Sequence, residues 1–275
     1  EYIEKEGYPP LRIFGSALLG GEISMNGGVS SQYISALMMI APYMQKGLKI
    51  KLTGNIVSMP YIHMTMSLMK DYGVHVNFED NVIEIAPQTY TPIQFRVESD
   101  WSAASYWYEM VSVSGKSKVY LEGLKNNSSQ GDSKVAELFG QLRVNTKYNP
   151  EGVVLTPNNN NVDKFDFDFV DQPDLAQTFA VTCCLKNVQF HFKGVQSLKI
   201  KETDRVAALI QELAKAGYIL HEPAEGELAW KGQRCDITAP ISIATYEDHR
   251  MAMAFAPASI VFPQPCSPCI MRLPV

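Results

Sequence analysis

The stretch Gln172–Gly194, QPDLAQTFAVTCCLKNVQFHFKG, carries the reading of the fold. It opens on a polar entry, continues as a helix-length run rich in Ala, Thr and Cys, and ends in a short strand, VQFHFKG, stopped by glycine. Helices made of such small residues pack closely on several sides. They are therefore expected in the interior, with sheets outside them.

The same pattern returns about every seventy residues along the chain. SSQYISALMMIAPYM, SDWSAASYWYEMVSVSG and YEDHRMAMAFAPAS supply the other small-residue helices, and LKIKLTG and KVYLEG supply matching strands ending at glycine. A second helix follows in PYIHMTMSLMKDYGVHV, GDSKVAELFGQLRV and ETDRVAALIQELAKAGYIL. In the last of these, Val206, Leu209, Ile210, Leu213 and Ala214 recur at helical spacing, and Gly217 can end the helix. A strand pair closes the unit, with VNFEDNVIEIA reading as a hairpin around Asp80-Asn81. The repeated unit is βαβαββ. Because every copy mixes sheet with helix, it predicts closed α/β domains rather than a solenoid.

Composition narrows the function classes. At 275 residues the chain can bury one or two cores, and its net charge of -5 excludes a surface built to cover nucleic acid. No apolar run reaches the roughly 18 residues of a membrane span, and EYIEKEG has no signal-peptide pattern, so a cytoplasmic location is expected. Of the five cysteines, Cys183 and Cys184 sit in an apolar run as small hydrophobes. Cys266 and Cys269 form a lone CxxC without the further ligands zinc needs, so no metal site is expected.

The candidate chemistry falls at the starts of the repeated helices, where free N–H groups and the helix dipole favour anions. Ser30, Ser31 and Gln32 follow a glycine pair; the serines suit an N-cap or a phosphate. Ser58 and Tyr61 flank Pro60 at the next helix start. Asp174 reads as a capping carboxylate or as a base that removes a hydroxyl proton. Lys201, Glu202, Asp204 and Arg205 crowd one turn, and Asp248, His249 and Arg250 precede another apolar helix. Cations at a helix N-terminus oppose the dipole, so a solvated face or a shared anion must account for them. An anion held by Lys201, Arg205 and Arg250 would relieve both misfits, with Glu202 among them as a proton-transfer group.

Taken in order and with their separations, VSSQ, VSMPYI, QPD, KETDR and DHRMAMAF resemble the 5-enolpyruvylshikimate-3-phosphate synthase family, from about Tyr8 to Pro263. The resemblance implies two domains of three βαβαββ units each, inside-out and barrel-like. Residues 1–97 would then belong to the first domain and 98–275 to the second. It also implies transfer of the enolpyruvyl group from phosphoenolpyruvate to the 5-hydroxyl of shikimate 3-phosphate, in the shikimate pathway to chorismate and the aromatic amino acids. The family implies no metal or cofactor, a monomer, and no nucleic-acid or membrane partner.

Residue by residue, Ser30, Ser31, Gln32 and Ser58 match positions that hold shikimate 3-phosphate, with Tyr61 close by. Asp174 matches the proton acceptor for the attacking hydroxyl, and Glu202 the proton donor to the phosphoenolpyruvate methylene. Lys201 matches a contact to shikimate 3-phosphate, Arg205 and Arg250 match the grip on phosphoenolpyruvate, and His249 lies at the same end of the cleft. Ser197 stands where some relatives use asparagine.

The family's N-terminal Lys-Ser-x-x-x-Arg motif, its glycine-rich phosphoenolpyruvate loop and a C-terminal lysine have no counterpart here, and FPQPCSPCIMRLPV departs from the family pattern. The expectation is a fragment, or a shifted reading frame, with little turnover of its own. Two rivals stand beside this reading. One is the sibling transferase acting on UDP-N-acetylglucosamine, against which KETDR and SSQ argue; the other is a non-catalytic remnant that binds a phosphorylated ligand.

Overall fold

A computed structural model describes residues 1–28, 30–160, 162–237 and 241–262. The Cys266–Cys269 pair and the segment after Phe262 lie outside the described residues. The chain divides into two units: Glu1–Ile56 with Thr65–Ile93, and Val57–Met64 with Gln94–Val275.

The first repeat runs β1 (Gly21–Asn26), α1 (Ser31–Ile40), β2 (Leu48–Thr53), α2 (Met59–Asp71), β3 (Asn77–Glu79) and β4 (Val82–Ile85). This is a complete βαβαββ unit. Its sheet has the order β1-β2-β4-β3, with β1 parallel to β2 and the other pairings antiparallel. Along β2 the side chains alternate: Leu48, Ile50 and Leu52 are buried, while Lys51 and Thr53 face solvent. The β3–β4 hairpin turns through Asp80 and Asn81, both with positive φ (49° and 61°). That geometry matches the right-handed twist of paired strands, and Asn and Asp tolerate it.

Among the described residues α1 buries Ser31, Ile34 and Met38 and exposes Tyr33, Met39 and Ile40.

In the second unit the expectation of interior helices holds. It contains α3 (Trp101–Ser114), β5 (Val119–Glu122), α4 (Val135–Gln141), β6 (Val144–Asn149) and β7 (Gly152–Pro157). These are followed by β8 (Lys164–Asp168), α5 (Ala176–Leu185), β9 (Gln189–Lys193), α6 (Arg205–Lys215), β10 (Leu228–Trp230) and α7 (His249–Phe255). All ten residues of α5 are buried. It packs against α3, and the Ser105 and Thr178 hydroxyls meet at 3.1 Å between the two helices. Cys183 and Cys184 are buried thiols of that same helix.

Two three-stranded sheets flank these helices, β5-β7-β6 and β10-β9-β8, the latter with β8 parallel to β9. Phe165 stacks on Phe179 with centroids 5.3 Å apart, and Phe169 meets Phe192 edge-on at 4.8 Å, tying β8 and β9 to α5. Gly194 ends β9 at φ +70°, where a Cβ would stand 2.2 Å from Asp168 Oδ1, so only glycine lets the chain leave there. The residues before α3 form no strand, so the second copy lacks its first β element. None of the described helices is long and apolar enough to cross a membrane.

Candidate active site

Three helix starts of the second unit converge on one carboxylate. Pro173 opens a 3-10 turn, Pro173–Leu175, that leads into α5 and carries Asp174. The Asp174 side chain caps neither this turn nor α5. Instead its Oδ1 accepts from Arg205 Nη1 at 3.3 Å and its Oδ2 from Arg250 Nη2 at 3.0 Å. The capping alternative for Asp174 is therefore replaced by an ion-paired carboxylate, 15% exposed.

Arg205 is the first residue of α6, after the N-cap Asp204, whose side chain accepts from Ala207 N at 3.0 Å. Its guanidinium is 1% exposed and bound by three carboxylates. Nε donates to Asp248 Oδ2 at 2.7 Å, Nη2 to Glu202 Oε2 at 2.6 Å and to Asp248 Oδ1 at 3.3 Å, and Nη1 to Asp174. Asp248 in turn caps α7, accepting from Arg250 N at 2.8 Å. Burial opposes the charge on Arg250. Asp174, with Tyr106, Tyr61 and Asp132, outweighs that and holds its pKa above the usual range.

This corrects the electrostatic premise read from the sequence. The misfit of Arg205 and Arg250 at their helix starts is relieved inside the protein by Asp174, Glu202 and Asp248, so neither a solvated face nor a foreign anion is needed to explain them. These partners come from segments 31 to 76 residues away, apart from Glu202 in the same turn, and local sequence could not show them. Lys201 is half-buried and forms no ion pair among the described residues.

On the other side of Asp174 stands Tyr61, near the start of α2. Its hydroxyl lies 3.3 Å from Asp132 Oδ2 and 3.5 Å from Asp174 Oδ2. Gly131 makes this approach possible, because a Cβ there would sit 2.5 Å from Pro60 Cβ. Asp132 is 2% exposed; its Oδ2 also accepts a short hydrogen bond from Ser102 Oγ, while Oδ1 is buried without a partner among the described residues. Burial, and then the charge of Asp174, push the Asp132 carboxyl up to about 6, despite the opposing pull of Ser102, Arg250 and Tyr61. Burial and the two carboxylates likewise raise the Tyr61 phenol well above its ordinary value.

The remaining candidates are more dispersed. Ser58 is buried in a left-handed conformation at φ 56°, with its N–H donating to Val170 O at 3.0 Å. Such a conformation in a non-glycine residue is strained and is found often at binding sites. Ser197 is half-buried in the turn Gln196–Ile200, and His249 is exposed at the first position of α7. In the first unit Ser30 caps α1, accepting from Gln32 N at 3.3 Å; Ser31 is buried and Gln32 exposed.

Sequence reading passed over Asp132, Ser102 and Glu212. The repeat itself holds the missed signal. Tyr61, Asp132 and Arg205 each stand at the start of the second helix of a copy, and Ser102, Asp174 and Arg250 at the start of the first. Glu212, fully buried on α6, accepts from Tyr246 Oη at 2.6 Å and Ala244 N at 2.9 Å, fixing the loop that leads to Asp248. Among the described residues no group of three or more His, Cys, Asp or Glu side chains is arranged to hold a metal ion.

The family model for EPSP synthase (3-phosphoshikimate 1-carboxyvinyltransferase) matches residues 1–267. The chain belongs to the EPSP synthase family. The 3-phosphoshikimate 1-carboxyvinyltransferase of Bacteroides fragilis strain YCH46 is 54% identical over 264 residues, covering 96% of this chain and 64% of that protein. The protein of the same name from Haemophilus ducreyi is 34% identical over 261 residues, covering 93% and 58%. The chain thus spans a little under two thirds of the length of these EPSP synthase relatives. An EPSP synthase structure from Acinetobacter baumannii matches with a TM-score of 0.67 at 18% identity, over 90% of this chain and 57% of that one, which shows the shared fold.

Proposed function

We propose that this chain forms part of an enzyme that transfers the enolpyruvyl group of phosphoenolpyruvate to the 5-hydroxyl of shikimate 3-phosphate, releasing phosphate. The observation that carries the reading is the Asp174 carboxylate, held by Arg205 on one oxygen and Arg250 on the other at the meeting of three helix starts. Residues 1–97 and 98–275 would be parts of the two enolpyruvyl transferase domains. The whole protein would act in the cytoplasm as a monomer, without metal or cofactor.

In this reading Asp174 takes the proton from the attacking hydroxyl and Glu202 delivers one to the methylene carbon of phosphoenolpyruvate. A base must be held in place, and two guanidinium partners fix both oxygens of Asp174. Glu202 is half-exposed, with a single guanidinium partner, as suits a group that meets incoming substrate. Arg250, 17% exposed, is the more accessible arginine for a carboxylate or phosphate. Arg205 can reach an anion only if Glu202 or Asp174 gives up a donor, so its part is mainly to hold those two groups. Lys201, Ser197, Ser58, Ser30, Ser31 and Gln32 would contact shikimate 3-phosphate, with Tyr61 and His249 nearby.

Two measurements test the proposal. Calorimetry should show saturable binding of shikimate 3-phosphate and none of UDP-N-acetylglucosamine. In the protein that carries this chain, Asp174→Asn should lower phosphate release by about 10²- to 10⁴-fold while shikimate 3-phosphate still binds. Undiminished turnover in that variant would remove Asp174 from its role. Failure of shikimate 3-phosphate to bind would remove the substrate.

A further inference from the structure

The hydroxyl of Tyr61 stands between two carboxylates and carries a single proton. It can donate to Asp132 or to Asp174, but not to both at once. Asp132 is the closer; among the described residues it is otherwise hydrogen-bonded by Ser102 alone, and its second oxygen is buried without a partner. Among the described residues Asp132 forms no ion pair; the charges that act on it are those of Asp174 and Arg250. A buried carboxylate that lacks solvent competes strongly for a donor, and the same group once protonated becomes a donor itself.

We infer that Asp132 is a positioning residue for Asp174, acting through Tyr61: its protonation decides which way the Tyr61 hydroxyl points. With Asp132 ionised, Tyr61 donates to it, and Asp174 Oδ2 keeps only the bond from Arg250. With Asp132 protonated, its O–H donates to the Tyr61 or Ser102 oxygen, and Tyr61 turns its own proton onto Asp174 Oδ2. The added hydrogen bond then occupies a lone pair of Asp174 Oδ2 that would otherwise be open to the substrate proton. The step takes up one proton from solvent onto Asp132, while the Tyr61 hydroxyl keeps its own proton and reorients. The raised carboxyl of Asp132, at about 6, places the change within the range where the protein can be studied.

The consequence for catalysis rests on Asp174 being the base proposed above, but the reorientation itself does not. Carbon-13 NMR of aspartate carboxyls in this chain tests it directly. The Asp174 resonance should show an inflection at the pH where Asp132 titrates, and Tyr61→Phe should shrink that inflection, leaving only the through-space effect of one carboxylate on the other. An Asp174 resonance that ignores Asp132, or an inflection of full size in Tyr61→Phe, overturns the inference.

Turnover provides the second readout, in the protein that carries the chain. Asp132→Asn should slow phosphate release on the order of 3- to 10-fold at pH 8 and approach the unaltered protein near pH 5, since the asparagine amide can stand in for the protonated acid. In the Tyr61→Phe background, Asp132→Asn should add nothing. A loss of the same size at every pH would mark Asp132 as merely structural and overturn the inference. If Asp174→Asn leaves turnover intact while the NMR coupling is present, the base assignment fails and the positioning stands.

Discussion

Arg205 Nε donates to Asp248 Oδ2 at 2.7 Å, and the two side chains are 1% and 0% exposed. The pair joins the first turn of α6 to the N-cap of α7, with Nη2 adding a longer second bond to the same carboxylate. A buried ion pair adds little over an apolar pair, but removing one partner strands the other charge. Arg205→Met is expected to cost ~3–5 kcal/mol, and adding Asp248→Asn to it should recover part of the loss, because asparagine still caps α7. Urea denaturation of the single and double variants reads this directly. Simple additivity of the two losses would mean the charges do not depend on each other.

Glu212 controls the approach to α7. Tyr246 and Glu247 both adopt φ 55°, a left-handed pair that costs free energy in non-glycine residues, and Glu212 holds this loop through Tyr246 and Ala244 while pairing with Lys215 at 2.6 Å. Glu212→Ala is expected to lower stability by about 2 kcal/mol or more, since hydrogen bonds to a buried charge are lost together. It should also lower turnover roughly 10-fold or more through misplacement of Arg250. Amide exchange over Ala244–Asp248 should rise. Protection unchanged from the unaltered chain would mean the loop is held by something else.

The fold was largely legible because it depends on periodicity. Small-residue helices, strands closed by glycine and the Asp80-Asn81 turn are local patterns, and the first copy shows the full βαβαββ order. What local pattern could not show was charge balance. Arg205 reads as an uncompensated cation at a helix start because Asp174 and Asp248 lie 31 and 43 residues away. Asp132 was hidden for a related reason: in GDSK an acidic residue at the start of a helix suits the dipole and looks ordinary, and only the fold reveals that it is sealed from water.

That sealing gives Asp132 a pH signature in stability. Its pKa is raised on folding from 3.8 to about 6, so the folded state binds the proton more tightly than the unfolded chain. Stability from this group is full below pH ~4 and is lost as the pH rises through about 6, a change of about 3 kcal/mol. Asp132→Asn removes the titration. Relative to the unaltered chain, the variant should gain stability between pH 4 and 6 and hold a constant advantage above pH 7. Denaturation midpoints at pH 4, 5, 6 and 7 provide the check, and a difference independent of pH would exclude the raised carboxyl. Gained stability at the expense of rate is the trade expected where a strained group serves a site.

Glu109 presents the same physics without a neighbour to use it. It lies on α3, fully buried, and among the described residues neither carboxyl oxygen has a hydrogen-bond partner; the Thr182 hydroxyl close by donates to Thr178 O at 2.7 Å instead. Burial raises its pKa well above the usual carboxylate range, outweighing an opposing influence from Thr182. Its contribution to stability is therefore present at low pH and lost as the pH rises through that raised value. A buried polar group with no partner costs about 1–3 kcal/mol, and methionine has nearly the same length and shape. Glu109→Met should accordingly raise stability by about that amount at pH 4, where the carboxyl of the unaltered chain is largely neutral folded or unfolded, and by more at pH 7. Thermal or urea denaturation at the two pH values separates the charge from the packing. A variant less stable than the unaltered chain at both would mean that Glu109 satisfies a partner in solution, and would turn attention to Gln177 on α5, whose amide is also buried without a partner among the described residues.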